Sequence, residues 1–169
     1  MTVKTETVSL STYIDKNILS GTFEPNRETK VSAEMQGKIN EIYVDAGSFV
    51  RQGQKLIQLD NKLLKLQLEG INIQINSLKK DVERYKVLSE ADAIQGIQLE
   101  KTTTAYAAAL VQKATLEEQI KKTTIHAPFT GMVTSKMTEV GAFAAPGVPL
   151  LQITDISKLR FNVNVAEKQ

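Results

Sequence analysis

Side chains suited to acid–base, nucleophilic or metal chemistry are few in this sequence and lie far apart. His126 is the only histidine, and cysteine is absent. A zinc site needs several His, Cys or carboxylate ligands close together, and no such cluster surrounds His126 in the sequence. Neither a recognisable Ser-His-Asp nucleophile motif nor a phosphate-binding glycine loop is found. We therefore predict a protein that is not an enzyme and needs no metal or cofactor, with His126 exposed or on an edge strand.

The charge balance argues against a nucleic-acid partner. The 169 residues carry a formal net charge of +2, without a basic block. No apolar run approaches the ~20 residues that a membrane helix requires. Aromatic residues make up 5% of the chain and Trp is absent, so a deep aromatic substrate pocket is not expected.

Two strand-rich segments flank a helical middle segment. Short β-branched runs separated by Gly and Pro fill residues 1–60 and 124–169. Within residues 61–122, seven apolar residues recur at alternating spacings of four and three, which is the heptad seam of a coiled coil. They are Leu64, Leu68, Ile71, Ile75, Leu78, Val82 and Tyr85.

The seam stops at residues 89–93, where a turn between two helices is predicted. Asp60 is expected to cap the first helix, and Asp92 with Gln95 fits a capping box for the second. A looser apolar stripe marks the second helix: Ile97, Tyr106, Leu110, Leu116 and Ile120. Two helices of about 28 residues predict an antiparallel coiled-coil hairpin, with one solvated helix as the alternative.

One glycine phrase occurs twice, 94 residues apart. "GSFVRQGQKLIQLD" begins at Gly47 and "GAFAAPGVPLLQIT" begins at Gly141. The glycines of each copy are expected in turns with positive φ. Because only two copies are present and a solenoid needs three or more units, we predict a sandwich of two half-domains related by a pseudo-twofold. The expected core contains Ile39, Val44, Phe49, Leu56 and Leu59 on one side and Val133, Phe143, Leu150 and Ile153 on the other.

The paired glycine pattern resembles the two halves of a lipoyl/biotinyl domain. "TTIHAPFTGMV" resembles the signature that opens the second half in membrane fusion proteins, the periplasmic adaptors of bacterial efflux pumps (HlyD-like family, RND type). "LLQITDISKLRFNVNVAEKQ" resembles the family's exit toward a β-barrel domain, with Glu167 as its acidic residue. The resemblance implies an α+β fold, in which a lipoyl-like β-sandwich (barrel-sandwich hybrid) is interrupted by the helical hairpin and accompanied by partial β-barrel strands.

The resemblance also implies the domain organisation of a truncated adaptor. The segments are 1–28 (partial β-barrel strands), 29–60 (first half of the lipoyl-like domain), 61–122 (hairpin), 123–155 (second half) and 156–169 (start of the β-barrel domain). A carrier domain has its modified lysine at the turn between the halves, where this chain has the hairpin. Lys62 lies nearest to that place, and Lys136 precedes Met137 inside the second half. A lipoyl/biotinyl carrier or a coiled-coil scaffold is the alternative from another functional class.

The family resemblance implies a docking motif at the hairpin tip. Adaptors of this kind dock on an outer-membrane channel through an Arg, a Leu four places on and a small polar residue seven further. Arg84 and Leu88 match, and Ile94 fits the apolar place before the polar position. Gln95 stands at that position, where the pattern usually has the smaller Ser. Alternatively, Arg84 is an ordinary solvated residue and Leu88 a last core layer.

Three apolar residues lie opposite the predicted seam. Leu66, Ile73 and Val87 recur at multiples of seven, on a face that a free hairpin is expected to keep polar. We interpret them as a surface for adaptor–adaptor packing in a ring, with scattered surface hydrophobics as the alternative.

The function implied by the resemblance is mechanical. The adaptor links an inner-membrane transporter, RND rather than ABC, to an outer-membrane channel, and self-associates into a ring. Its expected place is the periplasm, anchored to the inner membrane. The alternative within the family is an adaptor of an ABC-type exporter or a type I secretion system.

Overall fold

In the described part of the chain, strands lie on both sides of a long helix pair, in the predicted order. A computed structural model describes residues 2–4, 20–91 and 96–163. The helices are α1 Lys62–Glu90 and α2 Gly96–Lys122. The strands are β1 Gly21–Ser32, β2 Gly37–Ile42, β3 Phe49–Val50, β4 Lys55–Leu59, β5 Thr124–His126, β6 Gly131–Lys136, β7 Phe143–Ala144 and β8 Pro149–Val163. In the described part of the chain, neither helix combines the length and apolar character needed to cross a membrane.

The strands form two four-stranded antiparallel sheets that confirm the predicted sandwich. Their orders are β1-β8-β6-β3 and β5-β4-β2-β7. An offset of 94 in residue number relates β2 to β6, β3 to β7 and β4 to the start of β8, and it relates the end of β1 to β5. The same shift converts one sheet order into the other. The halves are therefore related by a pseudo-twofold, and each sheet takes strands from both.

The two glycine phrases form equivalent turns. The four turn glycines, two in each copy, have φ values between 78° and 91°, which L side chains rarely adopt. The N–H of Gly47 donates to the carbonyl of Val133 at 2.7 Å, and the N–H of Gly141 donates to the carbonyl of Ile39 at 2.9 Å. Each turn thus bonds to the opposite half, which fastens the halves together.

Apolar side chains fill the space between the sheets, and seven of the nine predicted core residues are buried. The prediction is wrong for Phe49 and Phe143, which are 63% and 69% exposed. The next residues, Val50 and Ala144, face the core instead. Because β3 and β7 have only two residues each, no alternation along the strand marks which residue points inward.

The helices pack through the predicted seam of α1, whose residues are buried or partly buried. The stripe predicted for α2 is wrong at Ile97 and Leu110, which are exposed. Alternating spacings of three and four mark the true seam of α2: Leu99, Thr102, Tyr106, Ala109, Lys113, Leu116 and Ile120. This seam is not apparent in a search for large apolar residues, because three of its seven positions are Thr102, Ala109 and Lys113.

The first helix begins with Asn61 as its N-cap residue. The Asp60 carboxylate accepts a hydrogen bond from the N–H of Lys62 at 3.0 Å. Asp60 therefore stabilises the start of α1 as expected, but from the residue before the N-cap. The predicted capping box of Asp92 and Gln95 lies outside the described residues.

Strands β1 and β8 pair along most of their length and extend beyond the sandwich as a two-stranded ribbon. Near its far end, the rings of Phe23 and Phe161 lie with centroids 4.8 Å apart. The boundaries predicted after residues 28 and 155 fall inside these strands. Their assignment to a β-barrel stays a prediction.

Candidate docking site at the hairpin tip

The hairpin carries its tip far from the sandwich. Helix α1 has 29 residues, a length of ~43 Å at the usual helical rise. Helix α2 returns over 27 residues and reaches β5 at the base. The expected docking residues Ile94 and Gln95 lie among residues 92–95, outside the described part of the chain.

Arg84 lies on the last turns of α1 with 65% of its side chain exposed. Its Nη1 contacts Asp81 Oδ1 at 3.3 Å. An exposed ion pair of this kind contributes at most about 1 kcal/mol, so it restrains the guanidinium only weakly. Leu88, one turn further, is partly buried and shares the helix face of Arg84. The two residues together present a cation beside an apolar side chain.

Apolar side chains also lie on the outer faces of both helices. Leu66, Ile73 and Val87 form the outer row of α1, and each is more than half exposed. Ile97 and Val111 form a corresponding outer row of α2 and are also more than half exposed. The sequence prediction missed the second row because it assigned Ile97 to the packed stripe. The heptad offset from the true α2 seam would have identified it.

A polar network holds both ends of the hairpin to the sandwich. The buried Thr123 hydroxyl oxygen accepts from the side-chain amides of Asn61 at 3.1 Å and Gln58 at 3.2 Å. The hydroxyl itself donates to the carbonyl of Ile120 at 2.6 Å. Gln58 Oε1 accepts in turn from the Thr124 hydroxyl at 2.9 Å. Strand β4, the start of α1 and the end of α2 are thus joined at one point.

The two lysines considered for carrier chemistry lie in regular secondary structure, Lys136 in β6 and Lys62 in α1. Lys136 Nζ contacts Asp45 at 2.8 Å and Glu139 at 3.4 Å. Its hydrogen bond to Asp45 raises the pKa of Lys136, which keeps the amine protonated and a poor nucleophile. Lys62 is the first residue of α1. The lone histidine, His126, is exposed at the end of β5, as predicted.

Comparison with known proteins identifies the family. Residues 27–156 match the family model described as "RND MFP, barrel-sandwich hybrid domain", where MFP denotes membrane fusion protein. The chain belongs to this family. The match includes the hairpin and both halves of the sandwich, so it confirms the resemblance drawn from the glycine phrases.

Two curated relatives illustrate the similarity in sequence. Multidrug resistance protein MexA of Pseudomonas aeruginosa is 26% identical over 150 residues, which cover 87% of this chain and 37% of the relative. Membrane fusion protein MtrC of Neisseria gonorrhoeae is 30% identical over 154 residues, which cover 82% of this chain and 36% of the relative. The chain thus spans less than two-fifths of either relative.

Solved structures share the architecture of the membrane fusion protein family. A MacA–MexA chimera containing the Pseudomonas aeruginosa MexA α-hairpin domain aligns with a TM-score of 0.78 and 24% identity, covering 91% of this chain and 55% of that one. A putative efflux transporter from Bacteroides eggerthii aligns with a TM-score of 0.73 and 24% identity, covering 88% and 46%. These likenesses show the fold.

Proposed function

We propose that this chain is part of a periplasmic adaptor that links an RND-type inner-membrane transporter to an outer-membrane channel. Family membership supports the adaptor role. The observation that carries the docking role is the exposed Arg84 next to Leu88, at the end of an arm ~43 Å long. The role is mechanical, so no substrate is chemically changed.

The chemistry of Arg84 and Leu88 suits a channel surface with acidic and apolar groups. The planar guanidinium binds a carboxylate or a backbone carbonyl of the channel. Leu88 removes apolar area from water beside that contact. Ile94 and Gln95 complete the contact in this proposal. Each tip binds weakly, and repeated tips in an assembly supply the affinity.

Several copies act together in this proposal. The outer row of α1 packs against a neighbouring hairpin, which brings the tips into a ring that faces the channel. Apolar residues exposed in a regular row favour such a contact over a solvated surface. The assembled protein lies in the periplasm and is anchored to the inner membrane.

Charge and polarity changes at the tip test the docking role. We expect Arg84→Asp or Leu88→Asp to abolish complementation of a strain that lacks the gene, because each change removes a contact to the channel. Lys79→Asp is the control, since it reverses an exposed charge on α1 away from the tip. Drug or metal resistance of the strain is measured, and far-UV circular dichroism of each purified variant checks folding. Full resistance with both tip variants would refute the docking assignment.

A further inference from the structure

The apolar core of the hairpin ends well below the tip. It consists of seven side chains, three buried and four partly buried. They are Ile71, Ile75, Ala109, Leu68, Leu78, Tyr106 and Leu116. Leu78 lies seventeen residues after Asn61 and Tyr106 seventeen before Thr123, so the bond between Asn61 and Thr123 makes them level. Beyond that level, the described seam residues other than Thr102 are only partly buried.

Thr102 occupies the first seam position of α2 beyond the core. It is 9% exposed and, by the same count, level with Val82 on α1. Its hydroxyl donates to the carbonyl of Gln98 at 2.9 Å, within its own helix. A polar residue at a seam position costs stability, because an apolar side chain there would pack against the partner helix. The layer next to the core therefore holds the two helices together less strongly.

The backbone of α2 is also weakened at this level. Thr103 and Thr104 follow Thr102, and their hydroxyls donate to the carbonyls of Leu99 and Glu100 at 2.8 and 2.9 Å. Threonine is β-branched and has a low helix propensity. Hydrogen bonds from its hydroxyl to the carbonyl four residues earlier slightly destabilise a helix and often bend it. Three consecutive threonines thus make a weak point in α2 on the tip side of Tyr106.

Two segments of the hairpin differ in what holds them closed. We call residues 81–91 and 96–103 the outer segment, and residues 62–78 and 106–122 the basal segment. The outer segment has an ion pair between Arg84 and Asp81, which lies within α1, and its described side-chain hydrogen bonds lie within α2. Residues 81–91 include five charged side chains, whereas residues 70–78 include none. Separating the helices of the outer segment therefore exposes little apolar area.

We propose that the outer segment opens as a separate unit while the basal segment stays packed, with Thr102 at the boundary. Local opening costs least where few apolar contacts are buried. The consequence for docking rests on the proposed function. Arg84 and Leu88 lie in the outer segment, so a channel can reshape their surface without disturbing the basal segment.

Hydrogen exchange of the purified protein, followed by mass spectrometry, tests this inference. After correction for intrinsic rates, we expect backbone amides of the outer segment to exchange roughly 100-fold faster than those of the basal segment. Thr102→Val removes the seam hydroxyl and should slow exchange in the outer segment about fivefold. Thr103→Val is the matched control, because it removes the same kind of hydrogen bond at an exposed position. It should change the rate by less than about twofold.

Ile75→Ala tests the separation from the basal side. Ile75 is buried, so its truncation should speed basal exchange about 30-fold and outer exchange by less than about twofold. Equal protection of both segments in the original protein, or equal acceleration by Ile75→Ala, overturns the inference, because the hairpin then opens as one unit. An equal response to Thr102→Val and Thr103→Val overturns the place of Thr102 at the boundary.

The exchange measurement needs no channel, so its outcome is independent of the docking proposal. Faster exchange of the outer segment, together with full resistance of strains carrying Arg84→Asp or Leu88→Asp, would support separate opening and refute docking. Equal exchange in both segments, with resistance lost in those strains, would refute separate opening and support docking.

Discussion

At the scale of single residues, the internal repeat places the same residue type in two different environments. Gly37 and Gly131 both begin a strand and are 94 residues apart. A Cβ at Gly131 would lie 2.5 Å from the carbonyl oxygen of Thr154. A Cβ at Gly37 would lie 3.6 Å from the Cβ of Leu59, which is ordinary contact. Only the second repeat therefore needs glycine for the close approach of two strands.

This difference predicts unequal effects of the same substitution. We expect Gly131→Ala to lower the free energy of unfolding by about 1–3 kcal/mol, because strands β6 and β8 must move apart. Gly37→Ala should be neutral or stabilising by up to about 1 kcal/mol, because it restricts only the unfolded chain. Urea unfolding followed by circular dichroism measures both. Equal losses of stability in the two variants would contradict this prediction and would mean that the spacing between strands adjusts similarly at both sites.

The residues that the sequence predicts well are those in longer patterns. Ile39, Leu56 and Val133 are buried as expected, and each lies in a strand of five or six residues. Phe49 and Phe143 lie in two-residue strands, where hydrophobicity alone does not decide the direction of a side chain. The docking roles of Arg84 and Leu88 stay predictions, since they depend on a partner.

At the scale of elements, the two helices differ in how plainly the sequence shows their packing. The seam of α1 consists of large apolar residues, so periodicity predicts it directly. The seam of α2 includes Thr102, Ala109 and Lys113, which are small or amphipathic side chains and are buried or partly buried. In an antiparallel helix pair, the seam of α2 can be derived once its register against α1 is known. A contact such as the hydrogen bond between Asn61 and Thr123 fixes that register.

Truncating a side chain in the seam of α1 is expected to cost much more stability than truncating one in its outer row. Ile75 is buried against α2, whereas Ile73, two residues earlier, is exposed. We expect Ile75→Ala to destabilise the hairpin by about 2–3 kcal/mol, near the lower end for buried apolar residues. Ile73→Ala should change the stability of the dilute monomer by less than about 0.5 kcal/mol. Thermal unfolding of the helical signal measures the difference, and similar losses would place Ile73 in the packed core instead.

At the scale of the whole molecule, the sequence predicts the sandwich and the hairpin but not the exchange of strands between the halves. The glycine phrases specify turns, which are local. The pairing of β3 with β6 and of β7 with β2 depends on hydrogen bonds between distant segments, such as that from Gly141 to Ile39. The exchange explains why the chain tolerates a long insertion. Each half pairs with an edge strand of the other, so the hairpin can project from the sandwich without separating the two halves.

The direction in which the hairpin leaves the sandwich determines where the proposed docking residues lie. Thr123→Val keeps the side-chain shape but removes the hydroxyl that accepts from Asn61 and Gln58. The side-chain amide of Asn61 then loses its acceptor in a partly buried place, at a cost of about 1–3 kcal/mol, whereas Gln58 still donates to the carbonyls of Leu59 and Thr123. We expect the hairpin of this variant to sample a wider range of angles relative to the sheets.

Spin labels measure this range directly, because the chain contains no cysteine of its own. Asn40→Cys on the sandwich and Glu83→Cys near the tip are both exposed. The distance distribution between the labels should broaden with Thr123→Val. It should not change with Thr115→Val, which removes an exposed hydroxyl bonded only within α2. An unchanged distribution in Thr123→Val would assign the hairpin direction to the backbone bond between Leu59 and Thr123, which the substitution leaves in place.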